Sequence, residues 1–272
     1  MSDITVTPER MIEAIERIGR LPAIPTHDWC DQAAIATGGA LLPAGASGVL
    51  AIGVGTLHND TIERIEAVGA CASAAAESRI HEIRETLRGI GALPAAVRVG
   101  AGESKLALLP TSDLRKSTAW ASSAAGRFFL SRGMTAVLIG AGLIADADPT
   151  RVLWVLGAVD DGVPFVGDVM FVTVILLALL RRARLALSSA GHESSDWISP
   201  REQEILNQLV LGKSVRQIAE ETGRSAHTIH DHVKNLHRKL NATSRGELIA
   251  RALGHVSQGA RIRESSRKIK QA

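Results

Sequence analysis

Residues 214–240 read SVRQIAEETGRSAHTIHDHVKNLHRKL, and their punctuation decides the fold of the C-terminal part of the chain. Ser214 is placed to cap a short helix whose Val215, Ile218 and Ala219 point inward, and Gly223 closes it where a left-handed residue costs little. Ser225 caps the next helix, in which Ile229, Val233, Leu236 and Leu240 recur at spacings of four, three and four. A stripe with that period is a buried face. Helix, tight turn containing glycine, helix is the helix-turn-helix plan, whose second helix lies in the major groove of DNA.

Working outward, Ser199-Pro200-Arg201-Glu202 supplies an N-cap serine, proline at the first helical position and glutamate at the third, the pattern of a capping box. The helix it starts has Ile205, Leu206, Leu209 and Val210 on its apolar face and stops at Gly212. Downstream, Ser244 and Glu247 predict a second capping box, and the helix after it would bury Leu248, Ile249 and Leu253 before Gly254. Four short helices over about residues 197–253 resemble the LuxR-type DNA-binding domain. The matching positions are Ser199, Arg201, Glu202, Glu204, Leu206, Gly212, Ile218, Ala219, Ser225, Thr228, Ile229, His232, Lys239, Leu240, Arg245 and Leu248.

The resemblance implies a transcription regulator that binds double-stranded DNA as a homodimer, with RNA polymerase as a further partner. It puts the third helix in the groove and the fourth at a dimer contact made by Leu248, Ile249 and Ala252. Base readers in the family follow the Thr-Ile pair, which carries over to His230, Asp231 and Lys234. Asp231 departs from the usual neutral or basic residue there.

A helical wheel reaches nearly the same face without the family. At about 100° per residue, with Ile229 at zero, His227, Asp231, Lys234 and Arg238 fall near the side opposite the apolar stripe, and His230 sits on a flank. Lysine and arginine satisfy guanine edges, whereas an aspartate accepts from cytosine and repels phosphates. Lys213, Ser214, Ser225 and Thr228 stand near helix starts, where hydroxyls, backbone amides and cations hold phosphate. His227, His230 and Asp231 have the spacing of metal ligands, but the groove-facing reading is preferred, and neither a metal nor another cofactor is expected.

The charge distribution agrees. The 272 residues carry a net +3, yet Trp197 to Ala272 holds fourteen Lys and Arg against seven Asp and Glu, a net of +7 that leaves −4 for residues 1–196. An acidic larger part joined to a basic smaller part implies two domains, the second with a polyanionic partner. Two cysteines, Cys30 and Cys71, lack the spacing of a disulfide framework or zinc site. With MSDITVTPER at the start and a longest apolar run of twelve residues, Val169 to Leu180, the expectation is a cytoplasmic protein without a membrane span.

The N-terminal part carries fewer signals. Thr7-Pro8 opens a helix with Met11, Ile12, Ile15 and Ile18 on one face, to be covered by the core or a second subunit. Gly48 to Gly55, Met134 to Ile139 and Val152 to Val159 read as strands, with a turn at Asp146, Asp148 and Pro149. Ile80, Ile83 and Leu87 mark a helix, alanine-rich residues 67–76 suggest another, His58-Asn59-Asp60 reads as a helix start, and a long helix is predicted from about Phe165 to Leu187. A late strand, a loop with Pro-Phe and a closing helix over residues 151–187 resemble the end of a GAF domain, which implies a sensory or dimerisation module open to a small-molecule ligand; the alternatives are a protein-interaction module without a ligand and, less favoured, an enzyme domain fused to the DNA-binding one.

The predicted fold class is therefore an α+β GAF-like domain, an antiparallel sheet with flanking helices, followed by an all-α four-helix LuxR-type helix-turn-helix domain. The expected boundaries are 1–39 for an N-terminal helix and lead-in, 40–188 for the GAF-like domain, 189–196 for a serine-rich linker, 197–254 for the DNA-binding domain and 255–272 for a basic tail. No nucleophile, base and orienting group are recognisable together and no phosphate loop is present, so no catalytic residue and no enzyme are predicted.

Overall fold

A computed structural model of the chain describes residues 8–42, 45–58, 61–89, 93–94, 107–108, 118–145, 148–160, 169–188 and 194–255. Two compact units emerge. One comprises residues 1–21 and 28–184, the other residues 22–27 and 185–272.

In the first unit, helices α1 (Pro8–Gly19) and α2 (Trp29–Leu41) precede strands β1 (Gly48–His58) and β2 (Thr61–Ala72). A 3-10 helix over Ala74–Arg79 leads into α3 (Ile80–Gly89). Short strands β3 (Leu93–Pro94) and β4 (Ala107–Leu108), helices α4 (Thr118–Ser122) and α5 (Ala124–Leu130), strands β5 (Met134–Ala145) and β6 (Asp148–Asp160), and helix α6 (Val169–Leu187) complete it. The strands form one sheet in the order β3-β2-β1-β6-β5-β4, antiparallel throughout.

The period-two alternation of β1 and β6 sends side chains to two buried faces. Val49, Ala51, Val152, Trp154 and Leu156 meet Ile83 and Leu87 of α3 and Phe129 of α5. Leu50, Ile52 and Val54 are buried on the opposite face. There α2 lies so close to β2 that a Cβ at Gly69 would collide with the backbone of Cys30 and Asp31. Leu180 of α6 packs on Gly142 of β5 on that same side. The antiparallel sheet with helices on both faces is the α+β architecture predicted from the strand and helix order.

Two local expectations, at residues 67–72 and at His58, need correction. Ala67 to Ala72 belongs to β2, because pairing with β1 outweighs the helix propensity of alanine, and only Ala74 onward coils, as 3-10 helix. His58 ends β1 opposite Thr61, so it lies at a hairpin and not at a helix start; Asn59 and Asp60 fall outside the described residues. On α1, Ile18 is buried together with Ala14, whereas Ile12 and Ile15 are exposed. Helix α2, mostly buried but with Ile35 exposed, is apolar or small over most of its surface, lacks the periodicity that marks an amphipathic helix, and has no counterpart in the sequence-based expectation. Asp148 does form the expected turn, its Oδ1 accepting from the Thr150 amide and hydroxyl. Asp146, the Pro-Phe loop and the start proposed for the long helix lie outside the described residues.

The second unit contains a 3-10 turn at Ser194–Asp196 and four helices, α7 (Pro200–Val210), α8 (Val215–Thr222), α9 (Ala226–Lys239) and α10 (Arg245–Ala252). Their core joins Ile205, Leu206, Leu209, Ile218, Ile229, Leu236, Leu240 and Leu248. Residues 22–27, between α1 and α2 in the chain, are built into this unit. Thr26 pairs with Ile198 in a parallel bridge, the Ile198 amide donates to the Pro25 carbonyl at 2.7 Å, and the His27 amide donates to the Ile198 carbonyl at 2.9 Å. Ile24 enters the helical core itself. Among the described residues no helix is long and apolar enough to cross a membrane.

Candidate nucleic-acid interface

The helix starts of the second unit are set by their caps. Ser199 Oγ accepts from the Glu202 amide while Glu202 Oε2 accepts from the Ser199 amide, a complete capping box. Ser214 and Gln217 make another at α8. Gly223 follows with φ +65°, turning the chain between α8 and α9 where a side chain would be strained. Ser225 Oγ accepts from the Thr228 amide at 3.1 Å and starts α9. At α10 the box is half formed: Ser244 accepts from the Glu247 amide, but the Glu247 carboxylate turns to the Thr243 amide and hydroxyl, and to Arg251. Hydrogen bonds from the Thr243 amide and hydroxyl, then from Arg251, hold the Glu247 carboxyl down at about 2.

These caps fix how α9 is rotated. Ile229 and Leu236 are buried and Val233 is half-buried, so His227, His230, Asp231, Lys234 and Arg238 are all exposed, as the wheel requires. Asn235 shares the exposed surface; its wheel angle, on the flank away from His230, was the available signal. The exposed residues do not stand equally ready for a ligand. His227 Nε2 lies 3.6 Å from Asp231 Oδ2 one turn on, and Arg238 Nη1 lies 3.5 Å from Asp196 Oδ1. Lys234 and His230 make no ion pair or side-chain hydrogen bond among the described residues. No group of three or more His, Cys, Asp or Glu suited to a metal occurs among those residues either.

The end of α9 is tied to the scaffold. Lys239 Nζ, almost wholly buried, donates to Glu202 Oε2 at 2.7 Å and to the Trp197 carbonyl at 2.8 Å. Burial alone would raise the Glu202 carboxyl, but hydrogen bonds from Lys239 and Ser199 together with the Lys239 charge hold it below the usual carboxylate range.

The residues assigned to phosphate meet mixed circumstances. Ser214 and Ser225 spend their hydroxyl acceptors on caps, Thr228 Oγ1 lies 2.9 Å from Ser225 Oγ, and Lys213 Nζ is paired with Glu221 Oε2 at 2.6 Å. Arg245 Nη2 donates to the carbonyls of Leu209 and Lys213, holding the end of α7. Of the apolar residues assigned to a dimer contact, Leu248 is fully buried in the domain core, so its side chain holds α10 in place; Ile249 and Ala252 are half-buried. Leu253, expected inside, is 57% exposed because it follows the last helical residue just before the chain turns at Gly254.

A compact four-helix unit that presents one polar helix face behind a glycine turn is a helix-turn-helix domain. Residues 196–252 match the family described as bacterial regulatory proteins, luxR family, and form its helix-turn-helix domain. The transcriptional regulatory protein MctR of Rhizobium johnstonii is 44% identical over 63 residues, covering 23% of this chain and 29% of the relative. The probable HTH-type transcriptional regulator GfsR of Streptomyces halstedii is 38% identical over 58 residues, covering 21% and 24%. The chain thus spans under a third of the length of either relative. Among solved structures, Escherichia coli SdiA aligns over 77% of this chain and 85% of its own at 16% identity with a TM-score of 0.28. SdiA in complex with octanoyl-rac-glycerol aligns over 94% and 97% at 15% identity with a TM-score of 0.31.

Proposed function

We propose that the protein is a dimeric, sequence-specific DNA-binding regulator of transcription, acting in the cytoplasm and controlled by a signal at its N-terminal unit. The observation that carries the reading is the exposed face of α9, where Lys234 and His230 have no ion-pair or side-chain hydrogen-bond partner among the described residues and lie within a luxR-family domain. Lys234 and His230 read base edges in the major groove, Asn235 adds amide donors and acceptors, and Arg238 joins them by exchanging Asp196 for a base or phosphate. Asp231 excludes sequences as much as it selects them, through an acceptor that repels phosphate and suits cytosine. Lys213, Ser214, Ser225 and Thr228 position the domain on the backbone. Two copies reading two half-sites meet through α10, with Ile249, Ala252 and Leu253 at the contact.

The names of the two regulators that share the C-terminal domain support transcriptional control. An antiparallel sheet covered by helices supports the GAF-like reading of the N-terminal unit, and this function requires no catalytic group. Binding of the full chain to a randomised duplex pool, followed by anisotropy titration of the selected sequence across salt, tests it. A selected consensus whose affinity falls log-linearly with salt supports the reading. Failure to enrich any sequence and to bind duplex at low salt overturns it.

A further inference from the structure

The N-terminal unit holds a cavity of about 520 Å³ between α1, α2, the outer edge of β2 and the turn into α3. Its size is that of small-molecule sites, which run about 300–1,000 Å³. Its wall carries two guanidiniums, Arg10 and Arg84, and one exposed carboxylate, Glu77; Arg84 is paired with Asp31 behind the wall, whereas Arg10 has no carboxylate partner among the described residues. Ile35, Leu42 and Ile80 supply apolar surface, and Ile35 is 61% exposed there with no core role.

Arg84 is built into this wall. Its Nη2 donates to the Ala70 carbonyl at 2.8 Å and pairs with Asp31 Oδ1 at 2.8 Å, while Asp31 Oδ1 also accepts from the Ala70 amide. Its Nε is buried and has no hydrogen-bond partner among the described residues. Arg10 spends Nη2 on the Gly39 carbonyl at 2.9 Å, which orients its guanidinium and leaves further N–H groups. Cys71 also lines the cavity, but its thiol donates to the Ala34 carbonyl and burial pushes it up to about 12, so it forms neutral wall and no nucleophile.

We propose that this cavity binds a small monocarboxylate with an apolar body, the carboxylate held by Arg84 and Arg10 and the body lying on Ile35, Leu42 and Ile80. A single negative charge matches Arg10, the wall guanidinium without a carboxylate partner among the described residues, and guanidiniums suit a planar carboxylate. Arg10 and Ile35 lie on the two helices that flank residues 22–27 in the chain, the segment built into the helix-turn-helix unit. The inference deepens the signal-controlled reading above by naming the class of signal.

The test is calorimetric titration of the full chain with decanoate and with 1-decanol, which has the same body and no charge. Decanoate binds one per chain and at least tenfold tighter than the alcohol. Arg10→Gln, which breaks only the contact to the Gly39 carbonyl, weakens decanoate at least fivefold. Ile35→Trp fills the cavity from an exposed position and weakens acid and alcohol alike at least tenfold, with an unchanged ligand-free melting temperature. Absence of decanoate binding, equal affinity for acid and alcohol, or undiminished binding to Ile35→Trp overturns the proposal. Anisotropy with duplex DNA on the same samples keeps the two claims apart, since carboxylate binding is read without DNA and DNA binding without carboxylate.

Discussion

Lys239 Nζ at the end of α9 sits 2.7 Å from Glu202 Oε2 in the first turn of α7, and the same carboxylate closes the Ser199 capping box. One side chain therefore starts α7 and anchors the end of α9. Removing one member of a buried pair leaves the other charge unpaired, so Lys239→Met destabilises the C-terminal unit by about 3 kcal/mol. Because the folded Glu202 pKa lies below its ordinary 4.5, its contribution is present above that value and disappears as pH falls through the folded pKa. Denaturant titrations at pH 7 and pH 3 check this: the gap between wild type and Glu202→Gln is large at pH 7 and shrinks at pH 3.

The built-in segment at residues 22–27 makes a second prediction. Ile24 lies in the helical core, so Ile24→Ala costs roughly 2–5 kcal/mol of that unit's stability. Hydrogen exchange should then speed up in α7 to α10, far from residue 24 in sequence. Faster exchange confined to residues 22–28 would show that the segment merely rests on the domain.

A third prediction concerns the sheet. Arg151 Nη2 meets Glu66 Oε2 at 2.8 Å with both side chains buried, and Glu66 stands at a β-bulge in the pairing of β2 with β1. Glu66→Gln lowers stability by about 3 kcal/mol by uncoupling a buried charge, whereas Glu66→Leu with Arg151→Met recovers most of it. A double variant as unstable as the sum of its singles would contradict this, and thermal unfolding decides between them.

The C-terminal domain was legible because its determinants are local. Ser199 and Glu202, Ser225 and Thr228, and the stripe Ile229, Val233, Leu236, Leu240 all interact within one or two helical turns. Reading failed where the partner was distant or competing. Glu247 has the capping-box spacing, but Thr243 offers it two donors from the other side. Ala67 to Ala72 have helical propensity, and only β1 makes them a strand. Ile24 pairs with a domain that begins some 170 residues later, which no local pattern records. At the site, the wheel places the exposed face of α9, while the pairing of Arg238 with Asp196 and of Lys213 with Glu221 joins separate elements that no local pattern links.

Those pairings separate base reading from anchoring. Lys213 must leave Glu221 to reach a phosphate, so Lys213→Ala weakens every sequence about equally and lowers the salt slope by roughly one. Measured slopes that do not change would remove Lys213 from the backbone contacts.

The proposed function turns on α9 reading base edges through Lys234. The most direct measurement is the affinity of wild type and Lys234→Ala for the selected operator and for every single-base change in it. Lys234→Ala is expected to lose about 1–3 kcal/mol on the preferred site, with discrimination flattened at one base pair and kept elsewhere. An equal loss on every sequence would place Lys234 on the phosphate backbone and contradict the rotation of α9 in the groove.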